Sequence, residues 1–504
     1  MNKLTILLLP ALMLSLAGCN DKNEILPDDT DNEAVIDLPT EDVVTVNVKV
    51  PTAVIGSDFD PVTELLIKRV ETRDDAVKTT TKAVIIDGSM LSSLTPDQKA
   101  GVQALFDRGG CIVVSEGNTR ELYDFSMSLG EKPSFRPEDH AGENDHFCDV
   151  YVFNNHHDEF YVQDVHGKVT LTELTKDPED ISDNDEGDDG ESTGNLEETG
   201  KEDVSLSGMN AYTYGMRAND LAAWINENSE PHSAITKSTG IDLGAQRVAY
   251  NVYPTVSDDR AKGRSCNYNI VYYITPLYSF SQKLDYYVVH MEISGANSNL
   301  YFGSWRSGKQ YVTGYYLSQL IAQADLKDDG YDKPNGAMIE KISPETTNNA
   351  STLTTGVSFN IGGDVGVNWS GGASAGINTG IDFSESYTTS LPDVAVANQC
   401  MSDQSGIQAR WVYNLSDPRP TTNWIGDING FDSPSASSIN TVNFHTMWVW
   451  TVPHPTGEYR MIPYVRVCHA KMIGKGGSYW SEASAFQFNT EKKTIWLDAP
   501  VRRR

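Results

Sequence analysis

Basic residues are scarce in this chain: 39 Lys and Arg stand against 70 Asp and Glu over 504 residues, a net charge of −31. That balance excludes a general nucleic-acid binder, which needs a basic footprint. Cysteine is scarce as well, six in all with no CxxC, so neither a zinc ribbon nor a thioredoxin-type site is supported. After the first eighteen residues no apolar run reaches the roughly eighteen residues that a membrane-spanning helix requires. No HExxH spacing is present either. His140, His146, Cys148, His156, His157, Asp158 and His166 lie near one another in sequence, but without ligand spacing the histidines read as solvated side chains. Asp183–Glu191 is rich in carboxylates yet lacks the glycine an EF-hand needs at its sixth position. No metal and no cofactor is expected.

What is present points to a β-rich globular chain. It has 23 Tyr and 9 Trp, with 39% hydrophobic and 22% charged residues. Its length implies two or three domains. The negative charge is unevenly spread. Residues 20–42 carry nine acids against Lys22 and residues 177–203 carry thirteen against Lys201, so −20 of the −31 sits in two stretches. These read as solvated segments that cannot repay the entropy of ordering.

The first eighteen residues have the pattern of an export signal: Lys3, an apolar run Leu4–Leu16, then Leu16-Ala17-Gly18-Cys19. The last four residues resemble the bacterial lipobox, which makes Cys19 the expected lipidation site and residues 19–42 an acidic tether. Asn20 after it, by resemblance to enterobacterial sorting, suggests an exported outer-membrane lipoprotein, with a secreted form also expected. Five further cysteines leave an odd number, so at least one is expected to be unpaired.

Val43–Val50 alternates as a strand would. Lys82–Asp87 and Cys111–Ser115 read as buried strands around a helix capped by Thr95 with Pro96 in its first turn, giving a small α/β domain over 43–172. An acidic linker spans 173–203. From 204 to 504 the chain is Tyr-, Thr- and Asn-rich, with one helix near Met216–Asn228 and otherwise mostly antiparallel strands.

Residues 357–383 carry the functional signal. Odd positions include Val357, Phe359, Ile361, Val365, Val367, Trp369, Ile377, Ile381 and Phe383. Even positions include Asn360, Asp364, Asn368, Asn378 and Asp382. The alternation is too long for one strand of a soluble domain. A hairpin with Ser370-Gly371-Gly372 at its tip keeps one apolar face through the turn. It pairs Val365 with Ile377, Ile361 with Ile381 and Phe359 with Phe383. Each arm exceeds the roughly ten residues of a tilted membrane strand. One face suits lipid and the other a water-filled lumen, where Asp364 and Asp382 imply a mild preference for cations. A lone hairpin would leave its edge amides unsatisfied in lipid, so several chains must close a barrel. Burying about ten apolar side chains gives an upper figure of ~15 kcal/mol per chain. Within this segment Gly372-Ala-Ser-Ala-Gly376 matches G-x-S-x-G. It lacks the strand-to-helix context of a nucleophile elbow, so no enzyme is expected. Arg419, Trp424, Ile425 and Phe431, in a Pro/Gly/Asn-rich loop, are candidates for contact with a membrane interface.

The order of these parts resembles the leukocidin/hemolysin family of β-barrel pore-forming toxins. Lys82-Ala-Val-Ile-Ile-Asp87, the following helix and Ile112-Val-Val-Ser-Glu116 are similar to a member's amino-terminal pro-domain. Thr355–Leu391 is similar to a pre-stem, Gly406–Tyr413 to the sheet strand after it, and Ala485-Phe-Gln-Phe488 to Trp496-Leu-Asp498 to the family's last strands. The resemblance implies a multidomain chain: an α/β pro-domain followed by a mostly antiparallel β cytolysin domain with a Gly-rich pre-stem hairpin over 355–391. It implies a homo-oligomer, usually a heptamer, formed on target-cell membrane lipids with or without a glycan or protein receptor. An activating protease would cut within 173–203. The competing expectation is a surface lipoprotein that binds a glycan or protein and never inserts.

Overall fold

The computed structural model describes residues 45–140, 148–163, 170–174, 211–229, 245–252, 266–296, 301, 303–307, 309–362, 364–368, 374–377, 381–402, 407–453, 457–489 and 494–500. Cys19, the acidic tether and all but the first two residues of the expected linker lie outside them. Residues from Val43 onward make one compact unit. Among the described residues no helix is long and apolar enough to cross a membrane.

The unit begins with β1 (Thr52–Ile55), α1 (Pro61–Lys68), β2 (Arg73–Asp74), β3 (Ala83–Asp87), α2 (Pro96–Phe106), β4 (Cys111–Ser115) and α3 (Thr119–Leu129). Each boundary has a local cause. The Asp60 carboxylate accepts from the Val62 and Thr63 amides to start α1, and Thr95 and Gln98 form a capping box before α2. Gly130, at φ +94°, closes α3 in a left-handed turn. The strand expected over Val43–Val50 falls later. Val48 makes one bridge to Val70, and the ladder begins only after Pro51, which has no N–H to donate. The four strands are parallel, in the order β2-β1-β3-β4. β3 and β4 are buried throughout, as strands covered on both faces must be.

There follow β5 (Val150–Phe153), β6 (Asp158–Gln163), β7 (Thr170–Leu174), α4 (Ala211–Asn228), β8 (Gln246–Val252), β9 (Asn267–Ser279), β10 (Leu284–Ala296), β11 (Ser304–Ser307), β12 (Gln310–Thr313), β13 (Tyr316–Asp328) and β14 (Met338–Ser343). The hairpin segment supplies β15 (Thr347–Ile361), β16 (Val365–Asn368), β17 (Ser374–Ile377) and β18 (Ile381–Asn398). The rest comprises β19 (Met401–Ser402), β20 (Ile407–Leu415), β21 (Pro420–Thr422), β22 (Ile428–Phe431), α5 (Ala436–Ile439), β23 (Thr441–Pro453), β24 (Tyr459–Lys475), β25 (Ser478–Asn489) and β26 (Ile495–Trp496).

Two large sheets result. The first runs β14-β23-β10-β9-β8-β6-β5-β4-β3-β1-β2, and the second runs β11-β12-β24-β13-β20-β18-β15 with β25 and β7 beyond β24. β6 lies parallel to β8, Asp158 opposite Arg247 through Gln163 opposite Val252. Strands on either side of the expected 172/204 division thus share one sheet. α4, which follows that division, packs with α1 on the N-terminal strands. Ala218, Leu221 and Ile225 meet Val62, Leu66, Val113 and Val152 in one buried cluster.

The first sheet has two distinct faces. Its inner face carries Val84, Val114, Tyr161, Tyr250, Tyr272, Val289, Trp448 and Trp450, covered by α2, α3 and the second sheet in the largest core. Its outer face is covered by α1 and α4 over the N-terminal strands and by the hairpin over β9, β10 and β23.

Buried charge ties the N-terminal region to the β-rich remainder. Asp139 accepts from Arg460 Nη1 at 3.1 Å, Trp496 Nε1 at 2.7 Å and the Tyr331 hydroxyl at 2.6 Å. The Arg460 guanidinium lies over the Tyr331 and Trp496 rings at 3.8 and 4.1 Å. Glu159 accepts from Ser134 N, Tyr151 and Tyr161, and burial pushes its carboxyl above the usual range. His157, expected as a solvated side chain, instead sets Nδ1 2.8 Å from Glu131 Oε1, and the carboxylate pushes the imidazole up to about 9. Among the described residues, Cys111, Cys148, Cys266, Cys400 and Cys468 form no disulfide.

Candidate functional site

The hairpin is built on alternation, and its register follows from it. Phe359 lies opposite Phe383, Asn360 opposite Asp382 and Ile361 opposite Ile381. Further out Val365 lies opposite Ile377, Val367 opposite Ala375 and Asn368 opposite Ser374. Every one of these pairs is centred on Gly371, as an odd-length loop there requires. Trp369, Ser370, Gly371, Gly372 and Asn378 are outside the described residues.

The two halves of the hairpin belong to different sheets. β15 and β18 lie at the edge of the second sheet, with β15 outermost. β16 adds to β9 of the first sheet, Val365 opposite Ser279 and Val367 opposite Leu277. β8 reaches only as far along β9 as Ile274, so β16 takes up a stretch of edge that β8 leaves open. The change of sheet falls at Gly362–Asp364. There the Gly362 carbonyl accepts from Ser281 Oγ at 3.1 Å and the Asp364 carbonyl from Phe280 N at 3.0 Å. At the base the arms come so close that a Cβ on Gly356 would stand 2.6 Å from the Glu385 carbonyl, so only glycine fits.

The apolar face is hidden. Val357, Ile361, Val365, Ile381 and Phe383 are buried against Leu277, Tyr286, Val288, Met447 and Val449 in a cluster separate from the main core. Phe359 stacks on Phe383 at 5.2 Å and on Tyr286 at 5.9 Å between ring centres. On the opposite face Ser358, Asn360, Asp382 and Ser384 are exposed, and Asn360 donates to Asp382. Asp364 is half-buried. Val367, Asn368 and Ile377 are placed by register alone.

Hydrogen bonds and rings hold the base. Thr355 Oγ1 donates to the His445 carbonyl at 3.1 Å, and Gly356 N to Ser343 Oγ at 2.8 Å. Tyr387 of β18 stacks on His290 at 4.2 Å and on His445 at 5.0 Å. The residues of this base are absent from the sequence reading. One signal pointed to them: the odd parity of the apolar face, continued past Phe383, arrives at Tyr387.

The candidate rim residues divide. Trp424 and Ile425 are 94% and 58% exposed at the turn between β21 and β22. The Asn423 side chain holds that turn by accepting from the Ile425 and Asp427 amides, with Gly426 at φ +87°. Arg419 is also exposed, and its carbonyl accepts from Asp432 N. Phe431 is the correction. Together with Ile428 it packs against Tyr316, Ala470 and Met472 in a small core of its own, and only 9% of it is exposed. Residues of opposite ends of a two-stranded ribbon need not share a surface: the turn is free while the paired end is clamped to β24.

Neither a family profile nor a curated protein sequence matches this chain. Among solved structures, one described as a pore forming protein is 11% identical, with a TM-score of 0.29 over 51% of this chain and 97% of its own. Clostridium perfringens delta-toxin is 12% identical, with a TM-score of 0.30 over 50% of this chain and 93% of its own. The Clostridium perfringens NetB toxin in the membrane-inserted form is 12% identical, with a TM-score of 0.26 over 50% of this chain and 100% of its own.

Proposed function

We propose that this chain is a pore-forming cytolysin whose hairpin, residues 355–391, leaves its seat and joins those of neighbouring copies in a transmembrane β-barrel. One observation carries the proposal. A two-faced hairpin in continuous register lies folded across a boundary between two sheets, on an apolar cluster of its own rather than in the main core. Straightening at Gly362–Asp364 would give arms of about thirteen residues with alternating faces, more than the nine to eleven a tilted membrane strand needs. Val357, Phe359, Ile361, Val365, Val367, Trp369, Ile377, Ile381 and Phe383 would then face lipid. Asn360, Asp364, Asn368, Asn378 and Asp382 would line the lumen.

Closure requires several copies, because an open ribbon leaves its edge groups unpaired in hydrocarbon at several kcal/mol each. The exposed Trp424 and Ile425 suit the lipid interface, where an aromatic ring settles at headgroup level. The net drive for insertion is smaller than the ~15 kcal/mol gross figure, since five of the apolar side chains are already out of water in the folded chain. Within the leukocidin/hemolysin family the order of parts is most like that of the Vibrio cholerae cytolysin. A heptameric ring, a lipid anchor at Cys19 and proteolytic cleavage within 173–203 belong to the same reading.

A disulfide lock tests it. Val365 and Ser279 face one another across β16 and β9, so Val365→Cys with Ser279→Cys would tether the hairpin to its seat. Dye release from liposomes by the linker-trimmed protein is expected to vanish when the pair is oxidised and to return on reduction. Release that persists in the oxidised form would show that insertion of this hairpin is not the mechanism.

A further inference from the structure

Beneath the base of the hairpin lies a histidine pair that the pore reading does not use. His290 of β10 and His445 of β23 are 4% and 8% exposed, and His290 Nε2 is 2.9 Å from His445 Nδ1. One hydrogen bridges the two nitrogens, so the contact needs one imidazole to donate and the other to accept. A proton on both replaces it with two facing N–H groups and two like charges. Tyr387 lies across both rings as a lid, and it belongs to β18, the strand that must move. Thr355, from the other arm, bonds to the carbonyl of the same His445. One arm thus lies on the two rings and the other on the backbone of His445.

From this geometry we infer that the His290–His445 pair is an acid-sensitive latch, which holds the hairpin down while neutral and releases it when protonated. The inference rests on the pore reading for its purpose, though not for its chemistry. The groups around the pair set the order of events. On β10, Glu292 accepts from Asn443 at 3.0 Å, and its charge favours a proton on His445. On β9, Tyr273 stacks on His290 at 5.3 Å, and behind it the Arg247 guanidinium of β8 lies 5.4 Å from the Tyr273 ring. On β18, Glu385 accepts from the Tyr387 hydroxyl at 2.6 Å. β15 and β20 contribute only the Thr355 and Tyr413 hydroxyls, both on the His445 carbonyl. Burial, with His445 adjacent, pushes His290 down to about 3, and burial lowers His445 as well.

The sign follows from linkage. Each imidazole is neutral in the docked state and regains its ordinary value near 6.5 when the hairpin lifts. Docking is therefore at full strength above about 6.5 and is lost progressively as pH falls below it. At about pH 5 the first proton alone shifts the balance toward the undocked form by about thirtyfold relative to neutral pH.

Hydrogen exchange of the full soluble chain without lipid, corrected for intrinsic pH dependence, reads the latch directly. Protection over 353–361 and 381–390 is expected to fall at least about thirtyfold between pH 7 and pH 5 while β13 and β24 stay protected. A His290→Gln, His445→Gln double variant, which keeps hydrogen-bonding groups but cannot titrate, should lose that pH dependence. Should it fail to fold, Tyr387→Leu gives a second measurement, because exposing the pair moves the transition to higher pH. Protection that ignores pH in the native chain, or falls equally in the double variant, overturns the latch. Acid-induced undocking in a chain that never permeabilises liposomes would leave the latch standing and remove the pore. Release of dye at a rate indifferent to pH, with protection equally indifferent, would do the reverse.

Discussion

The N-terminal strands and the hairpin are attached to the rest of the large sheet in different ways, the first in its plane and the second on its outer face. The N-terminal layer is joined by a strand pair, β6 beside β8, and by buried charge, with Asp139 taking three hydrogen bonds from Arg460, Trp496 and Tyr331. The hairpin is joined by a short β16–β9 ladder, a few side-chain hydrogen bonds and an apolar seat of modest size. Buried ion pairs are costly to break singly, because the surviving charge has nowhere to go. Apolar contact has no such penalty when the leaving face meets another apolar medium. One junction is made to stay and the other can be exchanged for lipid. A cut in the acidic linker therefore would not by itself free the N-terminal layer, which keeps its strand pairing and its charge contacts.

The largest expected effect falls on the permanent junction. Asp139→Asn leaves the Arg460 guanidinium buried without its anion and should destabilise the whole unit by about 3–5 kcal/mol, read as a lowered midpoint in denaturant. If the midpoint is unchanged, the distinction between the two attachments collapses. The hairpin seat should respond more locally. Ile361→Ala removes a fully buried side chain and is expected to cost about 2–4 kcal/mol. That loss should appear as faster hydrogen exchange in 355–361 and 381–390, with β13 and β24 unaffected. Global unfolding in its place would place the seat within the main core. The smallest effect concerns pH within the N-terminal layer, where His157 meets Glu131. His157 holds its proton more tightly beside Glu131 than in the unfolded chain. Its contribution is thus present below about 6.5 and lost as pH rises through about 9, a modest decline for a partly exposed ring. His157→Gln should flatten that alkaline decline. The hairpin is weakened by acid and the N-terminal layer by alkali, opposite signs that one titration of exchange rates can separate.

Much of the local structure was legible because its causes are local. Thr95 with Pro96 marked α2, and unbroken apolar runs marked β3 and β4, since caps and two-sided burial leave their trace within a few residues. The odd-length loop about Gly371 set the hairpin register for the same reason: parity propagates along a strand. What could not be read was where distant segments meet. β6 beside β8 joins residues 89 apart at Asp158 and Arg247, and the His290–His445 contact spans 155 positions. No periodicity announces either. Phe431 shows the limit from the other side: it stands in a polar loop sequence like Trp424, yet β24 and β13 cover one and leave the other in water.

Alternation alone determined which side chains of 357–383 share a face, because successive strand residues must point to opposite sides. Only the tertiary structure decided what that face touches in the folded chain. The open edge of β9 and the outer surface of β10 and β23 receive it. A side chain's direction is a property of its own backbone, whereas its neighbour is a property of every other strand.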